Sequence, residues 1–245
     1  MKEISVSIIT VCYNSEATIE RTIQSVLAQT YQNLEYIIVD GKSSDRTMEI
    51  VGRYEPMFHG RMKVISEPDR GIYDAMNKGI RKASGELIGI INSDDYYEPD
   101  AAEKIVREMT DAKYQILYGM LRVKHGEIET RITMPKHENL ENEMIAHPTC
   151  FVTKSVYEDF GMFDLRYRSC ADHDFMLRMR KHPEIQFVPV YEILATFSEG
   201  YGMCYQESSV IEALGMLAEH GLMGKNKYRR ILLKYRIKKL LHLAK

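Results

Sequence analysis

The residues best able to do chemistry are carboxylates standing where apolar runs stop. Asp94 and Asp95 close the run 87–91 through Asn92 and Ser93. Two adjacent carboxylates can hold Mg2+ or Mn2+ while a ligand's phosphates complete the oxygen shell. Such an ion would neutralise charge building on a departing diphosphate. The plain alternative is a solvated turn ahead of a helix opened by Pro99. Asp40 follows the run 36–39 directly, where it could accept from a base N–H or a ribose hydroxyl. It could equally form an ordinary Asp-Gly turn followed by Ser43 and Ser44. Asp172, His173 and Asp174 stand at a helix start, where acidic residues are favoured by capping and by the helix dipole. Asp172 could also act as a general base, because a sugar hydroxyl is a poor nucleophile until a positioned carboxylate takes its proton. His147, just before Pro148, is either structural or a substrate contact.

The segment 67–79 brackets charges with Pro68 and Gly71 just before a helix. Asp74 and Asn77, three apart, share a helix face. Asn is intrinsically poor within a helix, so Asn77 is expected to have a specific hydrogen-bonding duty. A loop followed by a surface helix is the simpler alternative. No glycine-rich phosphate fingerprint is present. If a nucleotide binds, a metal ion is the natural substitute for such a loop.

The elements that must position these residues alternate through the first 115 positions. Residues 6–13, 36–39, 62–66 and 87–91 read as buried strands, separated by helical patterns after Asn14 and Ser15, after Ser44 and Asp45, and over 72–83. The first of these helices presents Ile19, Ile23, Val26 and Leu27 on one face. Strand–helix repetition predicts an α/β fold with a mostly parallel sheet covered on both faces. Ligands of such sheets bind beyond the carboxyl ends of the strands. Tyr13, Asp40, Asp69 and the Asp94–Asp95 pair are all expected on that edge. The second half is more mixed. Strands are expected over 115–124, 128–134, 150–153, 187–190 and 194–197, and helices over 172–181, 205–220 and 228–243.

The chain has 245 residues and a formal net charge of −2. Residues 225–245 hold nine Lys and Arg and no Asp or Glu, leaving 24 basic against 35 acidic residues elsewhere. The acidic body argues against a nucleic-acid partner. In the C-terminal segment Leu233, Ile237, Leu240, Leu241 and Ala244 fall on one stripe with basic residues elsewhere. It reads as a helix lying on an anionic membrane or packed on the body with a solvated basic face. Cys12, Cys150, Cys170 and Cys204 lack zinc spacing and read as buried or free thiols in a reducing compartment. The N-terminal apolar stretch is short for a signal sequence and no run is long enough to span a bilayer, so a cytoplasmic location is expected.

Several ordered motifs at matching spacing resemble glycosyltransferase family 2, whose fold is called GT-A. They are the opening Val6-Ser7-Ile8-Ile9-Thr10-Val11-Cys12-Tyr13-Asn14, the block from Leu34 to Gly41 with Ser44-Asp45-Arg46-Thr47, and Asn92-Ser93-Asp94-Asp95. Gly161-Met162-Phe163-Asp164 followed by Ala171-Asp172-His173-Asp174 is similar to the acceptor-side block, and 69–79 is similar to members acting on bacterial polysaccharide and lipopolysaccharide. The resemblance implies that Thr10, Val11 and Tyr13 line a nucleobase pocket with Asp40 contacting the base. It implies Asp94 near the ribose, Asp95 on a Mn2+ or Mg2+ ion, and Asp172 as the base of a single displacement with inversion. It extends the nucleotide-sugar site to Asp69, Gly71, Asp74 and Asn77, and the acceptor side to His147 and Asp174. Ala171 stands where the family often has Glu, and Asn92 where many members have Asp.

The expected activity is sugar transfer from a nucleotide diphosphate, probed first as UDP-linked, to a glycan or lipid-linked glycan. Residues 1–204 would form the GT-A unit, with 1–115 as the donor half and 116–204 as the acceptor half. Residues 205–245 would be a helical extension. A sugar nucleotidyltransferase, or a non-catalytic sugar-nucleotide-binding protein, is the alternative from other classes.

Overall fold

In the computed structural model, residues 4–199 and 207–243 are described, with side chains described up to Ile237. The expectations for Cys204, for the first two residues of the helix at 205, and for the side chains of Leu240, Leu241 and Ala244 lie outside the described residues. So does the boundary between 204 and 205.

Four strands, β1 (Val6–Cys12), β2 (Leu34–Asp40), β3 (Met62–Ser66) and β4 (Leu87–Asn92), pair in parallel in the order β3-β2-β1-β4. They are connected by α1 (Ile19–Leu27), α2 (Thr47–Tyr54) and α3 (Ile72–Lys82). β1 and β4 read as continuous apolar runs because both faces are covered. Ile9, Val11, Ile37 and Val39 face Tyr73, Met76 and Ile80 of α3. Alternate residues Ile8, Cys12, Tyr36 and Ile38 face Ile19, Ile23, Ile50 and Val51 of α1 and α2.

Beyond β4 the direction changes. After the two-residue β5 (Tyr96–Tyr97) and α4 (Ala101–Arg107), the chain forms a hairpin of β6 (Gln115–His125) and β7 (Ile128–Thr133). The short β8 (Cys150–Thr153) then inserts antiparallel between β4 and β6. α5 (Lys154–Phe160) and α6 (Ala171–Met179) follow, then β9 (Gln186–Ser198) parallel to β6. α7 (Glu207–Glu219) and α8 (Lys225–Leu243) close the described chain.

The two strands expected at 187–190 and 194–197 are one. Its register slips opposite Gly119 and Met120, so exposed Tyr191 and its neighbour Glu192 bulge out of the pairing. Polar residues at the bulge read in sequence as a break. The helix expected from Pro99 starts at Ala101, and α5 and β5 were not anticipated. Among the described residues no helix is long and apolar enough to cross a membrane.

Candidate active site

The acidic pair sits immediately after β4, at the carboxyl edge of the parallel strands. Asp95 is fully buried. Its Oδ1 accepts the Ser198 N–H at 3.1 Å, and its Oδ2 is buried with no hydrogen-bond partner, as is Asn92 Oδ1. Burial, and then the adjacent Asp94 charge, pushes the Asp95 carboxyl well above its ordinary range. Half-buried Asp94 is also raised, chiefly by burial. Arg21 of α1 braces this turn. Its guanidinium donates to the Asp94 carbonyl at 2.9 Å and to the Ser198 hydroxyl at 2.6 Å, and lies 4.5 Å from the Tyr96 ring centroid. An orphaned buried oxygen beside a second strained carboxylate fits a divalent cation, which would relieve both. Among the described residues no three His, Cys, Asp or Glu side chains gather to hold an ion alone. The remaining ligands would therefore come from substrate.

His147 reaches this edge because β8 runs antiparallel to β4. The one-turn helix His147–Thr149 that precedes β8 therefore lies at the carboxyl end of β4. Its Nδ1 is 3.4 Å from Asp172 Oδ2, and its Nε2 is buried without a partner. Asp172 lies in the first turn of α6, 5% exposed, and its Oδ1 accepts the Tyr73 hydroxyl at 2.8 Å. Burial alone would raise this carboxyl. His147, the Tyr73 hydroxyl and the His173 N–H outweigh it and hold Asp172 below its ordinary value. The His147 ring also draws Asp94 downward, so one histidine is felt by Asp94 and Asp172 together. With His147 at the carboxyl end of β4 and 3.4 Å from Asp172, Asp172 and the Asp94–Asp95 pair stand along the same edge of the sheet, the candidate cleft. Tyr73 belongs to that cleft and was missed, because its partner lies 99 positions away. Arg21 was missed for the same reason.

On the other side of the cleft, Tyr13 is 64% exposed, the most open ring near the strand ends. A Cβ added to Gly41 would lie 2.5 Å from Asp69 Oδ2 and 3.4 Å from the Tyr13 ring, so these three residues form one surface. Asp69 Oδ1 accepts the Gly71 N–H at 2.8 Å, and Gly71 has φ of 120°, open to glycine alone, where α3 begins.

The other expected ligand residues have the following partners within the chain. Asp40 is fully buried and its oxygens accept from the Ser43 N–H and hydroxyl and the Ser66 hydroxyl, so it closes the strand-end turn. Thr10 is fully buried on the α1 side of β1 and its Oγ1 accepts from Tyr36, while Val11 packs in the α3-side core. Asn77 has the specific duty expected of it, but toward the chain itself. Its amide donates to the Phe163 carbonyl at 2.8 Å and accepts the Phe163 N–H at 3.1 Å. Asp74 accepts from the Arg70 N–H and guanidinium, which hold it below its ordinary value against the effect of burial. Asp174, expected on the acceptor side, lies in the first turn of α6. It is 2% exposed and accepts from Arg178 at 2.8 Å and from His220 Nε2 at 2.8 Å. For Asp74 and Asn77 spacing gave the helix face and not the partner. Asn14 and Ser15, which precede α1, stitch two loops. The Ser44 N–H donates to Asn14 Oδ1, and the Ser15 N–H to Thr47 Oγ1. A depression of about 310 Å³ along α1, lined by Glu16, Glu20, Arg21 and Gln24, contains none of the expected site side chains.

A mostly parallel sheet of this order with helices on both faces matches the GT-A fold. The family model for glycosyl transferase family 2 matches residues 7–177, and the chain belongs to that family. A PGL/p-HBAD biosynthesis glycosyltransferase of Mycobacterium tuberculosis is 27% identical over 199 residues, covering 80% of this chain and 78% of the relative. An uncharacterized glycosyltransferase of the same species is 34% identical over 182 residues, covering 71% and 68%. Among solved structures, S. aureus TarS 1-349 in complex with UDP-GlcNAc aligns over 95% of this chain and 71% of its own, with TM-score 0.71 and 18% identity. The mannosyltransferase PcManGT from Pyrobaculum calidifontis, in complex with GDP-Man and Mn2+, aligns over 90% and 64%, with TM-score 0.64 and 18% identity. Family membership removes the sugar nucleotidyltransferase alternative.

Proposed function

We propose that the chain transfers a sugar, with inversion, from a nucleoside diphosphate sugar to a hydroxyl of a glycan or lipid-linked glycan. The observation that carries this is the buried Asp172 carboxylate, oriented by Tyr73 and His147 in the cleft that holds Asp94 and Asp95. UDP is the first donor nucleotide to test. Tyr13 offers a flat exposed face for a base, with Asp69 beside it to receive hydroxyls or N–H groups. Asp94 stands near the ribose and diphosphate, and Asp95 with Asp94 would hold Mn2+ or Mg2+. When bound, that ion neutralises the diphosphate's developing charge.

Asp172 remains ionised at neutral pH and accepts the acceptor's hydroxyl proton as that oxygen bonds to the sugar's anomeric carbon. The bond from that carbon to the diphosphate breaks on the opposite face, and the nucleoside diphosphate leaves with its electron pair. Residues 1–204 would carry this chemistry, and 205–245 would support it.

Two measurements test the reading. Asp172→Asn should lose transfer by at least about a hundredfold while keeping nucleotide binding. Full activity in this variant would remove Asp172 from the mechanism. A thermal-shift panel of nucleotide sugars should show stabilisation by one donor class that depends on Mn2+.

A further inference from the structure

α8 carries two apolar stripes, not one. Tyr228, Ile231, Leu232 and Tyr235 are half-buried and share the face whose first member reaches Gly215 of α7. A Cβ added to Gly215 would lie 2.9 Å from the Tyr228 hydroxyl, so this face is already occupied by close packing. The second stripe has no such cover: Leu233 is 59% and Ile237 48% exposed. Arg229, Arg230, Lys234 and Arg236 are all exposed and lie three or four positions from one of these two residues, which flanks the stripe with cationic groups. In sequence the stripe continues through Leu240 and Leu241, with Lys238 and Lys239 beside it and no acidic residue from 225 to 245.

We propose that this outward stripe of α8 docks on an anionic lipid surface. The charge is complementary to acidic headgroups, Leu233 and Ile237 are exposed among the cationic groups, and the acidic body would otherwise be repelled from such a surface. The docking helix is also one element from the reaction. α7, on which α8 packs, holds the entry to α6: Glu212 accepts the Arg168 and Ser169 N–H groups and the Ser169 hydroxyl, and His220, just past α7, donates to Asp174. Docking through α8 would therefore bring the Asp172 side of the cleft close to a lipid-anchored acceptor. That last step rests on the transferase reading, and the docking does not.

The test is cosedimentation of the full chain with phosphatidylcholine vesicles, with and without phosphatidylglycerol, over a salt series. Binding is expected only with phosphatidylglycerol and should be released by salt. Each basic residue near such a surface contributes about fivefold to partition, from about 1 kcal/mol. Neutralising Arg229, Arg230, Lys234 and Arg236 to Gln should therefore weaken binding by several hundredfold, on the order of the product of the four. The pair Leu233→Gln and Ile237→Gln should weaken it by about tenfold or more. Both variants should keep the parent melting temperature and the shift produced by nucleotide and Mn2+, so loss of docking and failure of the transferase reading register separately. No binding to anionic vesicles, or binding unchanged in both variants, overturns the proposal. So does self-association that Leu233→Gln abolishes in a chain that ignores vesicles.

Discussion

At the scale of single residues, Asp172 and the Asp94–Asp95 pair sit in opposite electrostatic states. Asp172 is stabilised in its charged form by the Tyr73 hydroxyl and His147, whereas Asp95 is strained by burial and by Asp94. Tyr73→Phe removes a hydrogen bond to a buried charge and should cost about 1.5–3 kcal/mol at neutral pH. Because the folded Asp172 pKa is lowered, its stabilising contribution is present above the unfolded value near pH 4, and is lost as pH falls through the folded value. The stability gap between wild type and Tyr73→Phe should therefore hold from neutral pH down to about pH 4 and close below it, as read by denaturant melts across pH. A gap that persists under acid would mean that Tyr73 acts by packing. Asp95 has the reverse sign. A carboxyl raised in the fold destabilises it above the unfolded value, and that burden lifts as pH falls through the raised value. Asp95→Asn should then stabilise the metal-free protein by about 1 kcal/mol, a melting-temperature rise of about 2–4 °C, while abolishing the response to Mn2+. The positions of Asp94 and Asp95 at a strand end and of Asp172 at a helix start were legible in sequence because these are local signals. Tyr73 and Arg21 were not, because what makes them matter is a partner far along the chain.

At the scale of elements, the cleft depends on short staples between α3, α6 and α7. Asn77 is the clearest. Its one amide satisfies both the N–H and the carbonyl of Phe163, in the loop that leads toward α6. Asn77→Ala strands two buried backbone groups at about 1–3 kcal/mol each. Asn77→Asp keeps the acceptor and should fall between Ala and wild type. Chemical denaturation should reproduce that order, and an alanine variant as stable as wild type would mean that Phe163 finds other partners. The parallel half of the sheet was readable because strands buried on both faces are continuous apolar runs. β9 was read as two strands because Tyr191 and Glu192 bulge out of it, and α5 was missed because seven residues give too few turns for a helical period to declare itself. Helical spacing set Asp74 and Asn77 on one face. It does not say whether a face meets ligand or another element of the same chain.

At the scale of the molecule, the question is how far the C-terminal helices belong to the body. α7 is built into it. Met216 is fully buried in the same apolar cluster as Phe175, Met176 and Met179 of α6. Glu212 holds the loop before α6, and the Tyr167 hydroxyl donates to Glu219 at 2.9 Å. α8 touches the body through α7, and the outer side chains among its described residues are exposed. The two helices should therefore respond differently to removal. A chain ending at 224 should keep most of its melting temperature and its shift with nucleotide and Mn2+. A chain ending at 204 loses Met216 from the core, worth about 2–5 kcal/mol on its own when truncated to alanine. It also leaves Asp174 buried beside Arg178 without its second donor, His220. Since a domain of this size is stable by only about 5–15 kcal/mol, that chain should melt far lower or fail to fold. Calorimetry on the two truncations decides the matter. Equal melting temperatures would mean that α7 is an appendage and that the segment entering α6 keeps Asp172 in position without it.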